Sequence, residues 1–161
     1  MTYTKIANAG TRHLILVDAE NMAATPSPSG WDAELLRAGL ERLVPDFGSA
    51  QRIVACSHHA APVISFTFPG ARHLWRSGRD GADLTLLDVM ENEHVNQRFG
   101  RVTLCSGDGI FAASVARLGG EGVDVTVVAR EWGLARRLEL AARHVVKVPN
   151  AYWLFGKERA S

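Results

Sequence analysis

The chain has 161 residues, of which 47% are hydrophobic and 22% are charged, a length and composition that predict one domain with a continuous core. The formal net charge of +1 argues against a dedicated basic nucleic-acid-binding module. No segment approaches the roughly 20 apolar residues of a membrane span, and the N-terminus MTYTKIANAG lacks the apolar run of a signal peptide, so we expect a cytoplasmic protein.

Short apolar runs alternate with helix-like segments along the chain, which is typical of a parallel sheet covered by helices. The predicted strands are 13–17, 52–56, 73–75, 102–105, 125–128 and 145–148. The predicted helices are 32–43, 82–93, 110–118 and 134–142. Cys56 and Cys105 fall in two of the strands without metal-site spacing, which indicates buried, reduced thiols. The predicted fold class is a Rossmann-like three-layer α/β domain with a mostly parallel, doubly wound sheet.

Two segments lack a regular pattern. The sequence MAATPSPSG (22–30) predicts a loop after the first strand, either a lid over a site or a solvated connection that ends where Asp32 caps the next helix. The tail 150–161 contains four consecutive apolar residues, YWLF, and is too apolar to be free in water. We expect the tail to pack back on a core at about 12–149 or on a second copy, which makes a homo-oligomer a candidate assembly.

Three aspartates follow predicted strands. Asp18 ends the run LILV, Asp108 follows VTLCSG, and Asp83 opens the helix after the third strand. Each by itself is typical of a helix cap or a turn. Ligands of open parallel sheets bind outside the carboxyl ends of the strands, so the three together predict one shared site.

Asp83 is the most informative of the three, because it shares a helical stripe with Leu87 and Met90 that should face the sheet. A buried carboxylate is normally neutralised, ion-paired or bound to metal. All three lysines of the chain lie near its ends, so no lysine partner is nearby. Clustered carboxylate oxygens suit hard divalent cations, and the sequence predicts a site for Mg²⁺ or Mn²⁺.

A basic segment, GARHLWRSGR (70–79), precedes Asp83 and carries Arg72, Arg76 and Arg79. A cationic rim beside an anionic site suits phosphate chemistry, and strand periodicity would place Arg72 and Arg76 on one face, along a phosphate backbone. The alternative is an exposed edge strand with solubilising charge.

Three blocks, LILVDAEN, GRDGADLTLLD and LCSGDGIFAASVARLGGEGVDVTVVA, lie in order within residues 14–129 and together resemble the NYN branch of the PIN-like nucleases. The matching positions are Asp18 and Asn21 in the first block, Asp83 and Asp88 in the second, and Ser106, Asp108 and Phe111 in the third. The resemblance implies metal-dependent hydrolysis of RNA phosphodiester bonds on a Rossmann-like sheet. Asp18, Asp83 and Asp108 would hold the metal, and Asn21 and Ser106 would position the ligands and the RNA.

One position departs from the family pattern. Many members carry a further aspartate two places after the one in the third block, and this chain has Ile110 there. Asp88 or Asp80 is a candidate replacement, although a helical wheel places Asp88 about 140° from Asp83 and Asp80 about 60° from it. Asp80 is equally suited to capping the helix.

Three alternatives stay open. The set Gly107-x-Gly109-x-x-Ala112 formally matches a dinucleotide-binding fingerprint, with Arg130 and Glu131 near the ribose-binding spacing, although it does not follow the first strand. Asp18 as an aspartyl-phosphate nucleophile would require a lysine or equivalent cation, which the central part of the chain does not indicate. A non-catalytic RNA-binding module on the same fold is consistent with Ile110.

Overall fold

The computed structural model describes residues 12–149, in which six parallel strands form one sheet of order β3-β2-β1-β4-β5-β6. The strands are β1 (His13–Asp18), β2 (Gln51–Cys56), β3 (Arg72–Trp75), β4 (Arg101–Cys105), β5 (Asp124–Arg130) and β6 (His144–Val148). The chain runs outward from β1 to β3, then returns to the centre and runs outward again from β4 to β6. The predicted doubly wound α/β fold is therefore confirmed.

Helices cover both faces of the sheet. They are α1 (Ala19–Ala23), α2 (Gly30–Leu43), α3 (Ala61–Thr67), α4 (Gly81–Asn92), α5 (Val95–Arg98), α6 (Ala112–Gly120) and α7 (Arg136–Ala141), with short 3-10 turns at Gly109–Phe111 and Glu131–Gly133. One apolar cluster lies under α4 to α7 and includes the fully buried Leu86, Phe99 and Phe111. The other lies under α1 to α3 and includes Leu36 and Phe68. Burial on both faces explains why the central strands are continuous apolar runs.

The six predicted strands are all present, with ends that differ by one or two residues. The sequence pattern missed α1, α3 and α5, which are short and depend on packing more than on periodicity. Part of the predicted loop 22–30 belongs to α1. Asp32 is not the cap of α2: Ser29 is, and the Asp32 carboxylate accepts a hydrogen bond from the Ser29 backbone N–H in a capping box.

The two cysteines are buried free thiols, as predicted, and burial raises the pKa of each to about 12. Both are therefore neutral and unreactive in the folded protein. No helix within residues 12–149 is long and apolar enough to cross a membrane. The tail 150–161 lies outside the described residues, so its packing and the homo-oligomer stay predictions.

Candidate metal centre

The site lies where β1 and β4 run side by side and their connections leave in opposite directions. Such a switch point opens a crevice at the carboxyl edge of a parallel sheet. Asp18 is the last residue of β1, and Asp108 follows β4 by three positions. Helix α4 packs against β1, β2 and β3 and brings Asp83, in its first turn, to the same edge.

Four aspartates meet in this crevice. Carboxylate oxygens of Asp80, Asp83 and Asp108 all lie within 4.8 Å of one another. Asp18 lies beneath them, with its carboxyl group within hydrogen-bonding reach of Asp83. Exposure falls from Asp80, which faces solvent, through Asp108 to Asp83 and Asp18, which retain 7% and 3% of their surface. We call these four side chains the aspartate group.

Asp18 and Asp108 are each held by the turn that follows their strand. One oxygen of Asp18 accepts the Asn21 amide at 3.3 Å, and one oxygen of Asp108 accepts the Ile110 amide at 2.9 Å. Both residues are therefore helix caps as well as members of the group. Capping takes one oxygen of each carboxylate, which leaves the second oxygen of Asp108 for the group and the second oxygen of Asp18 for Ser106.

Ser106 and Asn21 join the two loops that carry these aspartates. The Ser106 hydroxyl donates to Asp18 at 3.3 Å and accepts the Asp108 amide at 3.2 Å. The Asn21 side-chain oxygen accepts the Gly107 amide at 3.1 Å. Ser106 is fully buried, so its hydroxyl acts on Asp18 and Asp108 and has no route to a substrate.

The two further candidate acids have different surroundings. Asp80 occupies the N-cap position of α4 with a left-handed backbone (φ 59°), and its side chain makes no cap hydrogen bond. Of the two alternatives for Asp80, capping through the carboxylate is therefore wrong, and a carboxylate oxygen lies instead within 4.8 Å of those of Asp83 and Asp108. Asp88 is exposed, accepts a hydrogen bond from Asn92 at 2.7 Å and is not part of the group. Asp88 is therefore not suited as a metal ligand.

Burial and mutual repulsion dominate the electrostatics of the group. Burial raises the pKa of Asp18. Burial, together with the neighbouring Asp18 and Asp108 carboxylates, raises the pKa of Asp83 to about 10. Without a cation, the Asp18 and Asp83 pair therefore retains a proton at neutral pH. A bound cation would relieve the same repulsion by replacing that proton.

The donor set fits a hard divalent cation. All the converging atoms are carboxylate oxygens, the ligand type that Mg²⁺ and Mn²⁺ prefer. Oxygens that share one Mg²⁺ at about 2.1 Å can be at most about 4.2 Å apart. The oxygens of Asp80, Asp83 and Asp108 lie within 4.8 Å of one another, which is close to that limit. Among residues 12–149, the acidic group whose oxygens lie within 4.8 Å of one another consists of Asp80, Asp83 and Asp108.

The crevice opens into a cleft of about 410 Å³ with charged residues of both signs. Glu20 lines it and accepts the Ser57 amide at 2.6 Å, which ties α1 to the end of β2. Arg76 and Arg130 also line it. Neither Glu20 nor Arg130 was predicted to be a metal-site or RNA-binding residue. Two sequence features could have indicated them: Glu20 lies in the DAEN block, and Arg130 ends a parallel strand.

The basic segment is not a uniform rim. Arg72 forms two hydrogen bonds with the Glu93 carboxylate, at 2.7 and 2.8 Å, and Arg98 lies 3.7 Å from the same carboxylate. Arg72 and Arg76 line one groove beside α4, as strand periodicity predicts. Arg76 also lines the cleft and Arg79 is exposed, and phosphate binding by the three arginines stays a prediction.

The two glycines of the dinucleotide-like fingerprint have a packing role. A Cβ on Gly107 would overlap the Gly133 carbonyl, and one on Gly109 would overlap the Arg137 guanidinium. The strand order matches that of dinucleotide-binding domains, but in those domains the fingerprint follows the first strand, where this chain has Asp18. Asp18 is also a poor candidate for a phosphorylated nucleophile, because it is buried beneath Asp83.

Replacing Gly107 by Ala is expected to destabilise the fold by about 1–3 kcal/mol, because the new methyl group must displace backbone at Gly133. Thermal unfolding measures the effect. The matched control is Gly119→Ala in α6, where an added Cβ meets nothing within 4 Å. That change should raise stability by about 0.5–1 kcal/mol through helix propensity. Equal melting temperatures for the two variants would contradict this packing role of Gly107.

No protein-family profile matches the sequence, and no curated protein matches it. A protein of unknown function from Vibrio parahaemolyticus superposes with a TM-score of 0.61 at 18% identity, over 85% of this chain and 92% of the other. The YcaC protein of Escherichia coli, an octameric hydrolase of unknown specificity, superposes with a TM-score of 0.51 at 14% identity, over 91% and 79%. MAR1 ribonuclease from Caenorhabditis elegans superposes with a TM-score of 0.47 at 15% identity, over 91% of this chain and 81% of the other.

These similarities establish a shared Rossmann-like α/β fold and nothing finer, since all the identities are low. The superposition on MAR1 is too loose to support a functional argument. The class that fold and site define is a three-layer α/β protein with an acidic group, able to hold a metal ion, at the switch point of its sheet.

Proposed function

We propose that the chain is a divalent-metal-dependent ribonuclease of the NYN, PIN-like kind, which hydrolyses RNA phosphodiester bonds at the aspartate group. The observation that carries the proposal is the approach of Asp80, Asp83 and Asp108 within 4.8 Å, above a buried Asp18, at the sheet's ligand-binding edge. Four acids there would be unfavourable without a cation, and the two arginines of the cleft favour an anionic substrate.

Each residue has a distinct role in the proposed reaction. Asp83 and Asp108 would hold Mg²⁺ or Mn²⁺, with Asp80 at the rim and Asp18 below. When bound, the ion supplies Lewis-acid activation of the phosphate and of the attacking water. The water adds across one P–O bond, giving a phosphate monoester and a hydroxyl. Because Asp18 is buried, a covalent aspartyl intermediate is not part of the scheme.

The supporting residues act through the carboxylates. Ser106 holds Asp18 and the Asp108 loop, and Asn21 fixes the Gly107 loop, so both are positioning residues. Asp80 offsets the acid that Ile110 replaces, since its left-handed turn brings a carboxylate into the group from α4. Ile110 packs against the apolar cluster under α4 to α7, where a charge would be unfavourable.

A second candidate is a non-catalytic RNA-binding module, which the isoleucine at position 110 favours. Such a protein would use the same cleft and arginines. It differs from a nuclease in that bound RNA stays intact in the presence of metal.

The test is incubation of the full chain with end-labelled RNA in Mg²⁺, Mn²⁺ or EDTA, followed by separation of the products on a denaturing gel. We expect cleavage with either metal and none in EDTA, with recovery when metal is added back. RNA cleavage that persists in EDTA would falsify the metal mechanism. Tight RNA binding in Mn²⁺ without cleavage would favour the non-catalytic module instead.

A further inference from the structure

Two large aromatic side chains are exposed at the carboxyl edge of the sheet. Trp75 is the last residue of β3 and is 49% exposed, and Trp132 lies in the turn directly after β5 and is 80% exposed. Both stand at the carboxyl edge of the sheet. The aspartate group lies between them, because β1 and β4 lie between β3 and β5 in the sheet. Exposed indoles on both sides of a polar cleft mark a binding surface.

Each tryptophan has an arginine next to it in the chain that lines the cleft. Arg76 follows Trp75, and Arg130 precedes Trp132 by two positions. Neither guanidinium forms an ion pair with any residue between 12 and 149, and Arg130 Nε is buried without a hydrogen-bond partner there. By contrast, Arg72 and Arg101 have carboxylate partners. The cleft therefore offers two cations, and each is within two residues of an exposed tryptophan in the chain.

A nucleotide offers a base that stacks on an indole and a phosphate that binds a guanidinium, so exposed tryptophans and cleft arginines at one edge of a sheet suit a nucleic-acid strand. Four strand spacings separate β3 from β5, or about 19 Å across the sheet. Bases in a duplex stack on one another at about 3.4 Å and cannot offer their faces to two rings that far apart. The bases of an unpaired strand can offer their faces to both rings.

We propose that Trp75 and Trp132 are two stacking positions for unpaired bases, on either side of the aspartate group, and that Arg76 and Arg130 bind phosphates of the strand that joins them. A single strand laid from β3 to β5 would present the phosphate between them to the aspartates. Placing a phosphate at the aspartates rests on the proposed function, whereas binding of a strand to the two positions does not. The positions select single-stranded over duplex nucleic acid and hold the strand across the cleft.

The test measures binding in EDTA, so that cleavage cannot occur, by anisotropy of a labelled single-stranded uridine oligonucleotide. Trp75→Ala and Trp132→Ala should each weaken affinity by about 5- to 100-fold, the usual effect of losing one stacked base. Trp132→Phe should retain most of the affinity. The matched control is Phe66→Ala in α3, which removes an 86% exposed ring away from the cleft and should leave affinity unchanged.

The salt dependence of the affinity distinguishes phosphate binding by the arginines from base stacking on the tryptophans. Arg76→Ala and Arg130→Ala should each reduce the slope of log affinity against log salt by about 0.7, whereas the tryptophan variants should keep the wild-type slope. DNA and RNA single strands should both bind, and duplex RNA should bind more weakly. Melting temperatures near wild type verify that each variant is folded.

Wild-type affinity in both tryptophan variants, or duplex binding as tight as single-strand binding, would overturn the inference. So would a Trp132→Ala variant that changes the oligomeric state in light scattering but not the affinity, since the ring would then serve a second copy of the chain. Binding that depends on the tryptophans, without cleavage in Mn²⁺, supports this inference and contradicts the proposed ribonuclease activity. Cleavage that needs neither tryptophan supports the ribonuclease activity and contradicts this inference.

Discussion

Replacing Asp83 by Asn should lower metal-dependent RNA cleavage by about 10³-fold or more, because Asp83 contacts both Asp18 and Asp108 and is the central acid of the group. Asp18→Asn and Asp108→Asn should have similar effects. Asn can still cap a helix, so both turns should keep their hydrogen bonds to Asn21 and Ile110. Initial cleavage rates at saturating Mn²⁺ measure the loss.

The losses should be non-additive. All the acids act by holding the same ion, so a triple variant should be little worse than any single one. Asp80→Asn at the exposed rim should cost less, about 10- to 100-fold, and Asn tolerates the left-handed backbone of that position.

The matched control for these variants is Asp88→Asn. It makes the same chemical change in the same helix at an exposed position outside the group, and it should keep the wild-type rate. A loss smaller than about tenfold in Asp83→Asn, or an equal loss in Asp88→Asn, would contradict the assignment.

A divalent metal should stabilise the fold, and more so as pH rises. The pKa of Asp83 is raised to about 10 in the folded protein, so the metal-free folded state holds a proton that the unfolded chain releases near its ordinary pKa of about 4. Metal-free stability should therefore fall as pH rises between these values, by up to about 1.4 kcal/mol per pH unit. Metal needs the deprotonated carboxylates, so its affinity should rise over the same range.

Thermal unfolding at about pH 6 and about pH 8, in Mn²⁺ and in EDTA, measures this effect. At 100 times its dissociation constant, Mn²⁺ should add about 2.7 kcal/mol, which corresponds to about 5–10 °C for a chain of this size. The increment should be larger at the higher pH, smaller in Asp108→Asn and unchanged in Asp88→Asn. The same melting temperature with and without Mn²⁺ at both pH values would argue strongly against a metal site.

The sequence by itself was enough for the fold class and for the place of the site. Apolar runs such as those that became β1 and β4 are local patterns, and strands buried on both faces require them. Since parallel strands end at one edge, aspartates after two such strands and at the start of a sheet-facing helix were expected to meet. The structure brings Asp18, Asp83 and Asp108 to that edge.

Only the tertiary structure shows which charged side chains lie together. Arg72 forms an ion pair with Glu93, a partner 21 residues away that packing brings within 2.7 Å. Asp80 was included because a left-handed turn after Gly78 directs its carboxylate into the group. Arg130 reaches the cleft from β5 because that strand lies next to β4. Ion pairs, turns and strand neighbours depend on contacts between distant parts of the chain, and local periodicity does not predict such contacts.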